Sequence, residues 1–187
     1  MSLVNSASRK KLSENEHCVS LYENDGALLS LVTTFMANAD AVVIVAREEK
    51  LKQFKKALKL KSNVHFLDAH DTLSKFMVKG LPHPQLFART VGKLMHDLTA
   101  SNNNVKAFGE MVALLWDEGN TAGAILLEEL WNNLQTEYHF SLLCAYPINC
   151  FKGEHNAKKF SYMCSCHSSV FASPQELEKI EKGFATS

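Results

Sequence analysis

The sequence lacks an excess of charge of either sign, because 20 lysines and arginines are balanced by 20 acidic residues. A nucleic-acid-binding domain normally carries a basic stripe, so this balance argues against direct nucleic-acid binding. The sequence also lacks an apolar run of the roughly 18 residues that a membrane-spanning helix needs. Arg9, Lys10 and Lys11 are not followed by the apolar stretch of a signal peptide. We therefore expect no association with a membrane.

The cysteines lack the even number and regular spacing of a disulfide framework. The five are Cys18, Cys144, Cys150, Cys164 and Cys166, and several of them stand in apolar segments typical of strands. Buried thiols of this kind are typical of a reducing compartment. The cysteine pattern therefore predicts a cytoplasmic protein.

Both common phosphate-binding loops are missing. Gly92-Lys93 comes nearest to a P-loop, but Leu94 stands where Ser or Thr is required and Phe87 where the first glycine is required. No Gly-x-Gly-x-x-Gly occurs either. Without backbone amides that cradle phosphate, nucleotide hydrolysis loses its main electrostatic support. We expect neither ATPase activity nor a bound cofactor.

What the sequence does contain is an alternation of strands and amphipathic helices. Apolar runs predict strands over residues 17–22, 41–46, 64–69, 105–109 and 139–146, and a further short strand over 160–166. Helices are predicted between them, the longest over 85–100 and 121–138, with shorter ones over 47–60, 70–78 and 111–118. The lysines of the 47–60 helix are interpreted as a solvated face. Such alternation predicts a three-layer α/β/α sandwich with a mainly parallel central sheet.

A length of 187 residues fits one domain. We expect a flexible tail over residues 1–14, a domain over 15–175, and a C-terminal helix and tail over 176–187.

Polar and aromatic residues gather where the predicted strands end. Glu23 and Glu110 each follow a strand directly, and Tyr146 lies at the end of another. In open α/β sheets, ligands bind at this edge. Glu110 is compatible with two roles, a cap for the 111–118 helix and a contact to a ligand. Trp116 and Trp131 are interpreted as core residues more readily than as a ligand platform.

Two cysteine patterns suggest other chemistry. Cys164-x-Cys166-His167, with His155 nearby, invites a zinc site, although the usual structural spacing is Cys-x-x-Cys with a second pair elsewhere. Cys144 with a histidine would make a nucleophile pair, but no local signature supports it. We therefore predict no metal and no catalytic residue, and keep the first pattern as a weak metal candidate.

Several separated segments resemble the MEDS domain family (methanogen/methylotroph, DcmR sensory). They are, in order, His17-Cys18-Val19-Ser20-Leu21-Tyr22-Glu23-Asn24-Asp25, Phe108-Gly109-Glu110-Met111-Val112-Ala113-Leu114-Leu115-Trp116, Glu118-Gly119-Asn120, Leu127-Glu128-Glu129-Leu130-Trp131-Asn132, Leu143-Cys144-Ala145-Tyr146-Pro147 and the pair Cys164 and His167. The similarity covers roughly residues 15–175 and keeps the order of the motifs.

The resemblance implies a RecA- or KaiC-like fold that has lost its phosphate-binding loop, and a sensory role in prokaryotic signal transduction. It implies a small organic ligand, a hydrocarbon derivative, and a signalling partner such as a histidine kinase or a transcription regulator. The positions that match the family motifs, and that we expect to contact the ligand, are His17, Tyr22, Glu23, Glu110, Trp116, Glu118, Cys144, Tyr146 and His167.

Two alternatives remain at this point. The fold could serve as an interaction module without a small ligand, which predicts an exposed apolar patch or a stable homodimer. An enzyme that uses Glu110 or Cys144 is the other alternative, and it predicts a deep cleft with a cysteine near a histidine.

Overall fold

A seven-stranded sheet lies at the centre of the molecule, and each of its strand pairings is parallel. The computed structural model describes residues 2–4, 15–58, 63–151 and 156–184. The sheet strands are β1 Ser2–Val4, β2 His17–Tyr22, β3 Ala41–Ala46, β4 Asn63–Asp68, β7 Val105–Gly109, β8 Ser141–Pro147 and β9 Ser169–Phe171, and β5 Met77–Val78 with β6 Leu81–Pro82 form a separate hairpin. Across the sheet the order is β1-β9-β2-β8-β7-β3-β4.

Helices cover both faces of this sheet. They are α1 Asp25–Met36, α2 Glu48–Ala57, α3 Ala69–Ser74, α4 Pro84–Phe87, α5 Lys93–Ser101, α6 Met111–Asp117, α7 Thr121–Glu137, α8 Asn156–Ser165 and α9 Pro174–Phe184. A π-helical segment, Ala88–Gly92, joins α4 to α5, and a 3₁₀ turn, Ile148–Phe151, follows β8. The predicted three-layer α/β/α sandwich is confirmed.

Alternate strand residues face opposite helical layers, as the two-residue period of a strand requires. Cys18 and Tyr22 of β2 pack in the core beneath α1 and α2. Val19 and Leu21 of the same strand pack in the larger core beneath α6 and α7. His17 therefore faces the α7 side, together with the equivalent residues of β8.

One predicted strand is wrong. Residues 160–166, interpreted as a strand, belong mostly to the helix α8, and the strand is the shorter β9 that follows. The apolar residues Phe160, Met163 and Cys164 are spaced three and four positions apart, which is the helical period. Met163 and Cys164 are buried on the inner face of α8.

Two further expectations differ from the structure at their ends. The helix predicted over 70–78 ends at Ser74, and the hairpin begins at Met77. Ser2–Val4 pairs with β9 within the range predicted as a tail, whereas the other residues of 1–14 lie outside the described residues. No described helix combines the length and the apolar character needed to cross a bilayer.

Candidate functional site

The carboxyl ends of β2, β3 and β8 surround a cavity of about 420 Å³. Its walls are mostly polar and charged, and the lining residues are Tyr22, Glu23, Asp25, Arg47, Glu49, Lys50, Gln53, Pro147, Ile148 and Asn149. The helix that follows β2, α1, and the helix that follows β8, α8, pack on opposite faces of the sheet, although β2 and β8 are adjacent strands. Open α/β sheets bind ligands at such a point. We call this space the rim cavity.

Glu110 lies beneath the rim cavity with its side chain fully buried. Its carboxylate does not cap α6, whose first turn it precedes. Instead it accepts a hydrogen bond from the backbone N–H of Arg47, at 3.1 Å, and pairs with the ammonium group of Lys50. Arg47 is the N-cap residue directly before α2, so Glu110 stabilises the start of a neighbouring helix.

Lys50 connects this buried carboxylate to the cavity wall. Its ammonium group donates to the Tyr22 hydroxyl at 2.6 Å and lies 3.6 Å from Asp25. Burial alone would lower the pKa of Lys50, but the charge and hydrogen bond of Glu110 outweigh it and raise that pKa above 10.5. Burial raises the pKa of Tyr22 to about 12 although Lys50 opposes this. The Lys50 charge is therefore fixed at neutral pH, which contradicts its interpretation as part of a solvated face.

A second set of buried polar side chains surrounds Glu128 of α7, which is itself fully buried. Its Oε2 lies 3.3 Å from His17 Nε2 and 3.3 Å from Cys144 Sγ. Its Oε1 lies 3.4 Å from His167 Nε2 and accepts a hydrogen bond from the Tyr146 hydroxyl at 2.9 Å. His17 Nε2 and Cys144 Sγ are themselves 3.4 Å apart. We call His17, Glu128, Cys144 and His167 the Glu128 cluster.

The topology explains why these residues meet. β2 pairs with β8 so that His17 lies beside Leu142 and Val19 beside Cys144. His17, Cys144 and Tyr146 therefore point to the same face of the sheet. α7 packs on that face through a buried stripe made of Ala124, Leu127, Glu128, Trp131 and Leu134. The stripe has the helical period, and Glu128 is its charged member.

Hydrogen bonds fix how the two histidine rings present their nitrogens. His167 Nδ1 lies 2.8 Å from the carbonyl oxygen of Met163, which accepts only, so Nδ1 carries the proton. Asn132 donates through Nδ2 to the Cys166 carbonyl, so its Oδ1 faces His17 Nδ1 at 2.8 Å. His17 Nδ1 therefore also carries a proton. Both rings turn Nε2 towards Glu128.

The electrostatics of the cluster follow from its burial. Burial opposes ionisation of Glu128, yet His167 and His17 outweigh it and hold the pKa of that carboxyl far below its usual range. Burial and the neighbouring Glu128 raise the pKa of the Cys144 thiol well above its usual value. Since a nucleophilic cysteine needs an accessible thiolate, this environment does not favour Cys144 as a nucleophile.

The structure thus divides the residues predicted from sequence between two places. Tyr22, Glu23 and Glu110 lie at the rim, where Glu23 also pairs with Lys179 of α9. The Glu128 cluster contains His17, Cys144 and His167, and Tyr146 contacts it.

The remaining predicted residues lie elsewhere. Trp116 packs in the core against Tyr146 and Phe151, and its indole N–H donates to the Cys150 carbonyl at 3.0 Å. Glu118 is exposed at the end of α6. Cys164 lies in the last turn of α8 and Cys166 directly follows the helix, and neither belongs to the Glu128 cluster. His155 lies outside the described residues.

Sequence reasoning missed Lys50 and Arg47 at the rim, and Glu128 and Asn132 at the cluster. A signal for Glu128 existed, because it is an acid within an otherwise apolar helical stripe. Lys50 had no such signal, since lysines recur throughout its helix.

The fold and its rim define a three-layer α/β domain with a polar cavity at the carboxyl edge of the sheet. The chain belongs to the MEDS family: the model described as "MEDS: MEthanogen/methylotroph, DcmR Sensory domain" matches residues 16–167. This confirms the resemblance noted from the motifs, and MEDS is a family of sensory domains. Comparison with curated proteins gave no match.

Proposed function

We propose that this sensory domain binds a small organic molecule in the rim cavity and passes the signal to a partner protein. The observation that carries the proposal is the rim cavity itself, with a buried ion pair in its floor. A volume of about 420 Å³ suits a small molecule. The cavity wall offers acids and the cation Lys50, so the preferred ligand carries a polar group, as a short-chain amine or alcohol does.

A ligand in this cavity would act on α9 through two contacts. Glu23, in the wall, pairs with Lys179 of α9. Ile148 and Asn149, also in the wall, belong to the 3₁₀ turn against which α9 packs. A ligand that displaces either contact shifts the position of α9, and a partner that prefers one position reads the shift as a difference in affinity. The proposed partner is a prokaryotic histidine kinase or transcription regulator. The domain itself is proposed to catalyse no reaction.

The fold proposed for this function is a RecA- or KaiC-like one without its phosphate-binding loop. Support comes from the parallel sheet and from the turn after β2, where Glu23 and Asn24 stand and Asn24 caps α1. An acidic side chain at that turn repels phosphate, which favours a different ligand.

Calorimetry and thermal shift with short-chain alcohols, amines and halocarbons test the ligand site. Gln53 lines the cavity from an exposed position on α2, so Gln53→Trp should fill the cavity without disturbing the core. Gln85→Trp, at an exposed position on α4, is the matched control. We expect at least one compound to bind the native protein and the Gln85→Trp variant, and to lose binding in Gln53→Trp. Equal binding by the two variants would refute the rim cavity as the site.

The interaction-module alternative makes a different prediction. A stable homodimer by light scattering, together with no heat from any compound, would favour it over the ligand sensor.

A further inference from the structure

We propose that His17, Glu128, Cys144 and His167 bind one divalent transition-metal ion, zinc above all, inside the domain. This site lies on the α7 face of the sheet and is separate from the rim cavity. The four side chains are buried, and each offers one ligand atom, all within 4.8 Å of one another. Two imidazoles, a thiolate and a carboxylate are the ligand types that zinc takes in proteins.

The distances within the cluster fit a coordination sphere. His17 Nε2, Cys144 Sγ and Glu128 Oε2 form a triangle with sides of 3.4, 3.3 and 3.3 Å. Bonds of about 2.1 Å from nitrogen or oxygen and about 2.3 Å from sulfur place the ligand atoms of a tetrahedral ion about 3.4–3.6 Å apart. The triangle is therefore within a few tenths of an ångström of one face of such a tetrahedron, and His167 Nε2 lies 3.4 Å from the other carboxylate oxygen, Oε1.

The histidines are oriented as metal-binding histidines are. A metal-bound imidazole usually donates its second N–H to a carbonyl or carboxylate, which leaves the other nitrogen free to bind. His167 donates to the Met163 carbonyl and His17 to Asn132. His167 Nε2 is buried and makes no hydrogen bond of good geometry to any described residue, although it points at Glu128.

Charge balance supports the same conclusion. Without a metal, the Glu128 carboxylate is a buried negative charge, and a charge buried without a cation beside it is expensive. A divalent ion with the Glu128 carboxylate, the Cys144 thiolate and two neutral imidazoles has no net charge. Binding displaces one proton, from the Cys144 thiol, to solvent, and involves no oxidation or reduction.

Elemental analysis and cobalt titration of the whole chain test the site. We expect the purified protein to contain one equivalent of zinc. After removal of the metal with a chelator under reducing conditions, we expect Co²⁺ to give the intense visible bands of a tetrahedral site and a near-ultraviolet thiolate-to-cobalt band. The absence of metal in the purified protein, together with no spectral change on adding Co²⁺, would overturn the proposal.

Single substitutions identify the ligands. Cys144→Ser should abolish the thiolate-to-cobalt band. Cys150→Ser, a half-buried thiol at the rim, and Cys166→Ser should keep it. A band that persists in Cys144→Ser, or disappears in Cys166→Ser, refutes the proposed ligand set.

Two measurements remain decisive if Cys144→Ser does not fold. X-ray absorption of the native zinc protein should show one sulfur among nitrogen and oxygen ligands, and two sulfurs or none would refute the site. Asn132 is a positioning residue, so Asn132→Ala should weaken zinc binding about 10–100-fold while keeping the thiolate band. Unchanged affinity would show that the Asn132 contact to His17 has only a structural role.

Discussion

The ion pair between Glu110 and Lys50 should contribute strongly to stability, and the substitution Lys50→Met tests this. The Glu110 side chain is 0% exposed and that of Lys50 is 14% exposed. Removing one partner of a buried pair leaves an uncompensated charge, which costs about 3–5 kcal/mol. Because Lys50 retains some contact with water, we expect the lower end, about 3 kcal/mol, in the free energy of unfolding.

A double-mutant cycle separates the pair from the two side chains themselves. Glu110→Gln keeps the volume and removes the charge that Lys50 faces. The double variant Lys50→Met with Glu110→Gln buries no unpaired charge, so its cost should be about 2 kcal/mol less than the sum of the single costs. Urea unfolding followed by circular dichroism, with an unchanged m-value, measures each variant.

The matched control is a lysine pair on the surface of the same helix. Lys52 pairs with Glu48 one turn away, with side chains 64% and 75% exposed. Lys52→Met should leave the free energy of unfolding unchanged within error, because water screens exposed pairs. Costs that simply add within about 0.5 kcal/mol for Lys50 and Glu110 would refute the reasoning.

The sign of the pH dependence follows from the raised pKa of Lys50. A cation whose pKa is higher in the folded state than in the unfolded state stabilises the folded protein fully at a pH below its unfolded-state pKa. That contribution is lost as the pH rises through the folded-state pKa. The contribution of the pair should therefore persist at neutral pH and decline only above 10.5.

Three further predictions concern the cap of α7, a tyrosine and the thiols. Asn120→Ala should cost about 1 kcal/mol in urea unfolding, because Asn120 Oδ1 accepts from Gly123 N–H at 2.9 Å and caps α7. Gly123→Ala should be destabilising alone but better tolerated with Asn120→Ala, since its Cβ would lie 2.7 Å from Asn120 Nδ2. In an alkaline absorbance titration, Tyr22 should ionise with a pKa of about 12, and Tyr22→Phe should remove that step. Because the folded state raises this pKa, the tyrosine's contribution to the free energy of unfolding is lost as the pH rises from 10.0 to about 12. Thiol reagents should reach the half-buried Cys166 before Cys144, which is 0% exposed and should react only on unfolding.

The fold was predictable because its signals are local. The run over 41–46 is apolar at each position, and the structure buries all six residues of β3 between two helical layers. The elements near the C-terminus were harder, because α8 and β9 have few apolar residues and β9 has three residues. Three residues are too few to show the two-residue period of a strand, so β9 is identified by its pairing with β2 in the structure.

The rim was predictable in position and unpredictable in detail. Glu110 follows a strand, and parallel strands end at one edge, so its place at the rim followed from the sequence. The residue that pairs with the Glu110 carboxylate depends on the register between β3 and β7, which the sequence does not show. β3 pairs with β7 so that Val45 lies beside Gly109, and Glu110 N–H then donates to the Val45 carbonyl at 2.9 Å. This contact brings Glu110 to the start of α2, where Lys50 is one turn along the helix.

The Glu128 cluster could not be assembled from sequence, because its members are more than a hundred residues apart at the extremes and only the sheet order brings β2, β8 and β9 together. Its organisation nevertheless bears on signalling. β8 carries Cys144 into the cluster and, three residues later, Pro147 into the wall of the rim cavity. β8 is paired on both sides only as far as Cys144, because its pairing with β7 ends there whereas its pairing with β2 continues to Pro147. A metal bound to Cys144 would hold β8 at a point three residues from one wall of the rim cavity, and the ligand response would depend on the loops after β2 and β3 and on α9.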